Sequence, residues 1–161
     1  QAALADSSAD VEQVTLTEPS QDWEIDVPDL YCERDYESLA SIGWTCGDVS
    51  VQATLTEDAK DDATTLRRMV RALAMAPLPA DAPTFDGTNG ALLLADAPSS
   101  TAALSIDGTG EDENKDWVVT VTGKGDQARA TASRIWRAFG QEDLPADANA
   151  EFADFSGELM Y

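Results

Sequence analysis

Two stretches of the chain alternate apolar and polar side chains with period two. In residues 49–56, Val49, Val51, Ala53 and Leu55 fall on one side and Ser50, Gln52, Thr54 and Thr56 on the other. In 117–122, Trp117, Val119 and Val121 oppose Val118, Thr120 and Thr122. Alternation of this kind in β-branched and aromatic residues predicts half-buried strands, with Val118 and the threonines outward. A helical period follows each strand. Ala59, Ala63, Leu66, Val70 and Leu73 form one stripe over 58–76, opened by Thr56 or Asp58 as N-cap, with Asp61 and Asp62 near the positive end of the helix dipole and Pro77 as the stop. Ala128, Ala132, Ile135, Trp136 and Phe139 do the same over 127–139, with Asp126 as N-cap and Gly140 as the C′ residue.

The remaining pattern is sparser. Trp23, Ile25 and Val27 predict a strand that stops at Pro28. Residues 91–95 and 102–106, each bounded by turn signals, predict with 117–122 a three-stranded antiparallel meander. Residues 11–17, with Val14 and Leu16 on the apolar side, and 158–161 are weaker strand candidates near the two ends, and 142–154 reads as loop.

The two strand–helix units also resemble each other in sequence. Shifted by 66 positions, residues 51–82 lie on 117–148 without a gap, and 11 of the 32 positions are identical. This composition would give about two or three by chance. Arg68, Arg71 and Ala72 meet Arg134, Arg137 and Ala138, and Leu78-Pro79-Ala80-Asp81-Ala82 returns whole as Leu144-Pro145-Ala146-Asp147-Ala148. We read an internal duplication with half-repeats of approximately 23–82 and 89–148. The expected fold is α+β: a largely antiparallel sheet with two helices packed on one face, related by a pseudo-twofold from the duplicated βα unit. Residues 1–10 read as a linker or tether and 11–161 as a single domain.

Charge changes the functional picture more than the fold. The 161 residues carry 31 acidic against 10 basic groups, a net charge of −21. Phosphate backbones are repelled by such a surface, so nucleic acid is excluded as a main partner, and an anionic membrane surface is disfavoured. The chain has no histidine, which removes His-based triads and imidazole metal sites. No run of residues is long and apolar enough for a membrane span, so direct membrane insertion of this segment is not expected.

Cys32 and Cys46 are the only cysteines, too few ligands for zinc, and they enclose a short segment containing Gly43. A Cys32–Cys46 disulfide is expected, worth about 3 kcal/mol by loop closure, and it points to an oxidising compartment. Secreted or extracytoplasmic placement follows, including tethering through a segment upstream of residue 1. The opening Trp23-Glu-Ile-Asp-Val-Pro28 resembles the start of PsbP-type extracytoplasmic helix–sheet domains, without the tryptophan usual soon after the proline.

The chemistry on offer is limited. The acidic loop 107–116 opens like a calcium loop at Asp112, Asn114 and Asp116, but Trp117 and Gly123 stand where an EF-hand needs glycine and glutamate. Gly108-Thr109-Gly110 lacks the lysine of a phosphate loop, and no serine sits in a nucleophile elbow. Among so many carboxylates, a pair spaced for glycoside hydrolysis carries no signal. Neither catalytic residues, nor metal ligands, nor a cofactor site are assigned. Trp23, Trp117 and Trp136 fall on inward faces and read as core, while Trp44 covers the disulfide or stands exposed.

What remains is the arginines. Six of the seven lie on the two expected helices, and Arg68, Arg71, Arg134 and Arg137 point away from the apolar stripes. Side by side, the helices would form a basic strip able to dock a protein or an envelope polyanion through bidentate contacts. The expected function is a non-catalytic extracytoplasmic interaction or ligand-binding domain, such as the soluble part of a bacterial envelope protein. The alternatives are a carboxylate-dependent sugar-acting enzyme, and a structural accessory subunit of a larger envelope assembly.

Overall fold

The computed structural model describes residues 11–17, 23–35, 42–47, 49–57, 84–87, 91–96, 100–108, 115–140, 143–153 and 155. Among the described residues eight strands form one antiparallel sheet: β1 (Val11–Leu16), β2 (Ile25–Arg34), β3 (Ile42–Cys46), β4 (Val49–Glu57), β5 (Thr84–Asp86), β6 (Leu92–Asp96), β7 (Thr101–Asp107) and β8 (Lys115–Thr122). Their spatial order is β1-β2-β3-β4-β8-β7-β6-β5, so two four-stranded meanders meet along β4 and β8. Two described helices follow β8: α1 (Gly125–Gly140) and α2 (Ala146–Phe152).

The seam is built by the alternation read in the sequence. Val51 pairs with Val121, Ala53 with Val119 and Leu55 with Trp117, all on one face, because directly opposed residues share a face. The next strand outward continues that face with Ala102, Leu104 and Ile106. Across this surface lies α1, burying Ala128, Ala132, Ile135, Trp136 and Phe139, with Thr131 among them. Asp126 stands in its first turn, one residue after the start, where the carboxylate still complements the dipole. The meander of β6, β7 and β8 and the antiparallel, α+β character are as expected.

Burial departs from expectation on the opposite face. Val118 and Thr120, read as outward, are buried, as are Leu92, Leu94, Ala103 and Ser105 on the same side. Two-sided burial fits the sequence in retrospect: Leu92-Leu93-Leu94-Ala95 and Ala102-Ala103-Leu104 are continuous apolar runs, the mark of strands covered on both faces.

Three further corrections concern local chemistry. The strand expected to stop at Pro28 instead runs through it to Arg34. Between the pairs Gln13↔Tyr31 and Thr15↔Asp26, β1 advances two residues while β2 advances five, so Val27 to Leu30 bulge out of the ladder. Pro28 has no N–H to donate, and Asp29 takes a left-handed backbone with φ 66°, one of the few conformations in which Asp is favoured over other L-residues. Second, the segment 142–154 is not all loop: Ala148 and Phe152, four positions apart, face inward on α2 behind Pro145. Third, β3 and β5 had no clear alternation to reveal them. β3 is five residues with Ile42, Gly43 and Trp44 all buried, and β5 is three residues long.

The helix pair closes on a glycine. Gly125 at the start of α1 donates its N–H to the Phe155 carbonyl at 3.2 Å. A β-carbon there would stand 2.3 Å from the Phe152 carbonyl oxygen, so only a residue without one fits. The Phe152 and Phe155 rings pack at 4.8 Å between centroids beside this contact. The expected helix over 58–76, the linker 1–10, the strand at 158–161, Asp112 and Asn114 lie outside the described residues.

Candidate functional site

The disulfide lies within the first meander. Register pairs Glu33 with Thr45, which sets Cys32 opposite Cys46, and the two are bonded with Cα atoms 4.5 Å apart. The bridge joins β2 to β3 beside their ladder, where Glu33↔Thr45 and Arg34↔Trp44 are paired and Asp35 N–H donates to the Gly43 carbonyl at 2.9 Å. Trp44 is 2% exposed and lies beneath the Arg34 guanidinium, 5.1 Å from its centroid, so the alternative of an exposed Trp44 is excluded. Of the other tryptophans, Trp117 and Trp136 are core, and Trp23 packs on Trp117 at 6.4 Å while its carbonyl accepts from Trp117 Nε1.

A cavity of about 750 Å³ opens between the β2 bulge and the solvent side of α1. Asp26, Pro28 and Asp29 form one wall; Ala130, Ser133, Arg134, Arg137 and Ala138 form the other. The bulge creates it. A regular strand would keep β2 flat in the sheet, whereas the Pro28-Asp29 excursion lifts the chain beside α1. Val27 and Leu30 are buried on either side of Pro28 and Asp29, which anchors the excursion to the core.

The two walls carry opposite charge. Arg137 is committed within its own surface: Nε and Nη2 both donate to Asp143 Oδ1. Arg134 donates through Nη1 to the Ala130 carbonyl of its own helix at 3.4 Å and has no carboxylate partner among the described residues. Facing it, Asp26 Oδ1 accepts from Thr15 Oγ1 at 3.1 Å. The Asp29 side chain has no hydrogen-bond or ionic partner among the described residues. The left-handed backbone at Asp29, which Asp tolerates better than most residues, sets its side chain on the cavity wall.

Of the four arginines singled out in the sequence, the structure brings Arg134 and Arg137 together on this wall; Arg68 and Arg71 lie outside the described residues. Asp26, Pro28 and Asp29 were missed. Their signal was a Pro-Asp pair inside an apolar alternation that resumes at Leu30 and Cys32, which marks a bulge rather than a strand end. Among the described residues no group of three or more Cys, Asp or Glu could hold a metal ion. No described helix is long and apolar enough to cross a membrane. No family model, no curated protein and no solved structure matches the chain.

Proposed function

We propose that this protein is a non-catalytic, extracytoplasmic ligand-binding domain whose site is the cavity between the β2 bulge and α1. One observation carries the reading: a bulged excursion bearing Asp26 and Asp29 faces an arginine wall across about 750 Å³ of open space. Binding pockets are concave, of about this size, and carry a few convergent polar groups on an apolar lining, here Pro28, Ala130 and Ala138. The Cys32–Cys46 bridge supports placement outside the cytoplasm, where such bonds persist.

The internal duplication belongs to the same proposal. It is supported by the sheet order, which sets β4 and β8 at the centre with a four-strand meander on either side. The register supports it too: Ala53 pairs with Val119, its own counterpart 66 positions on, as a twofold normal to the sheet at that pair would require.

The test is a residue-resolved NMR titration with three probes: acetate, methylammonium and glycine. Shifts concentrated at 26–29 and 130–138 with any of them support the reading. Shifts spread evenly over the surface with every probe, or acetate shifts unchanged in Arg134→Gln, defeat it.

A further inference from the structure

We propose that the cavity takes a short peptide by its two opposite charges, the carboxylate at Arg134 and the ammonium at Asp29 and Asp26; this rests on the cavity being the binding site. The charges of the walls select the class. A purely anionic ligand that satisfies Arg134 meets Asp26 and Asp29 across the cavity and a chain of net charge −21 around it. A purely cationic one meets Arg134 and Arg137. A dipolar ligand is opposed by neither wall.

The state of each group refines the assignment. Arg137 is held by Asp143, which engages two of its five donors, at Nε and Nη2. Arg134 spends one donor on a helix carbonyl, and its guanidinium has five in a planar fork that matches a carboxylate. On the other wall, Asp26 keeps acceptor capacity beyond its bond from Thr15. Asp29 carries its whole capacity toward an incoming ammonium. The small lining side chains Pro28, Ala130, Ser133 and Ala138 leave room for a backbone and short side chains. The volume exceeds what a single ion needs and lies in the range of small-ligand pockets.

The probe is trialanine with both termini free, compared with N-acetyl-trialanine, which keeps only the carboxylate, and trialanine amide, which keeps only the ammonium. Binding is followed by NMR shifts of 26–29 and 130–138 at low and at physiological salt. Trialanine is expected to bind, and each blocked form to bind about fivefold more weakly, the scale of one exposed charge contact. Arg134→Gln should make trialanine and its amide equivalent. Asp29→Asn, which also tolerates the left-handed backbone, should make trialanine and its acetylated form equivalent. Melting temperatures unchanged in both variants show that folding is intact. If N-acetyl-trialanine or a polyanion such as polyglutamate binds the cavity at least as tightly as trialanine, the dipolar assignment is overturned while the binding site stands. If trialanine leaves the cavity unshifted while acetate or methylammonium shifts it, the peptide assignment alone falls. If no probe shifts it, both fall.

Discussion

The two meanders share a topology and are stabilised differently. In the second, β6, β7 and β8 are buried on both faces. In the first, β1 and β2 turn Glu12, Gln13, Tyr31 and Glu33 outward, and Tyr31 and Val11 are 59% and 45% exposed. A strand covered on one face loses about half the burial available to one covered on both, and the disulfide ties one such strand, β2, to the more buried β3. The bulge and the cavity wall sit there too. α1 packs across both halves, against β2 and β4 as well as β7 and β8, while the Asp29 excursion belongs to the thinner, cross-linked half. Of the two described left-handed non-glycine residues, Asp29 stands exposed in the thinner half and Ser100 is buried in the other.

The largest way to break this comparison is a pair of truncations. Leu104 and Leu16 are both fully buried, one in each half. Leu104→Ala should cost about 4 kcal/mol, because a strand covered on both faces cannot collapse into the void. Leu16→Ala, on the edge strand β1, should cost about 2 kcal/mol. Denaturant melts give both values. Equal losses would mean that the halves are equally packed and the contrast is false.

Next in size is the bridge. Cys32→Ala with Cys46→Ala should lower stability by about 3 kcal/mol, provided the ladder between β2 and β3 re-forms. Native-state hydrogen exchange sharpens the point. Amides of β1, β2 and β3 should lose protection in the double variant, while those of β7 and β8 follow only the global change. Uniform loss across all eight strands would show one cooperative unit with no weaker half.

A third test lies at the helix pair. Gly125→Ala forces a β-carbon against the Phe152 carbonyl, a backbone atom that no rotamer change can move. Some 1–3 kcal/mol of destabilisation is expected, with shifts in the α2 amides. A neutral outcome would show that α2 moves freely on α1.

What could be foreseen followed from periodicity. The seam, the β6–β8 meander and α1 were legible because alternation or helical spacing ran for a whole element, as with Val49 to Leu55 and Ala128 to Phe139. The disulfide was legible by elimination among two cysteines. Elements too short to show a period were not: β5 has three residues and α2 has two inward positions, Ala148 and Phe152. Val118 and Thr120 were assigned outward because alternation reports side-chain direction, whereas burial depends on what lies above each face. The cavity was half legible. Arg134 and Arg137 stood out as outward cations, but their counterparts depend on a bulge that brings β2 beside a helix about a hundred residues later, a proximity no local pattern encodes.

The smallest predicted effect separates the two arginines of the cavity wall. Arg137 and Asp143 are 63% and 77% exposed, so their ion pair is solvated and screened. A double-mutant cycle with Arg137→Gln and Asp143→Asn should return a coupling of about 0.5 kcal/mol. Held by packing of Ile135, Trp136 and Phe139 rather than by that pair, α1 should keep its melting temperature in Asp143→Asn. The ligand side responds differently. Without Asp143 the Arg137 guanidinium regains its fork beside Arg134, and affinity for trialanine should rise by about two- to threefold, most clearly at low salt. If Asp143→Asn unfolds the helix, the ion pair supports the buried half after all. If stability and affinity are both unmoved, Arg137 plays no part in the site, and its recognition rests on Arg134 alone.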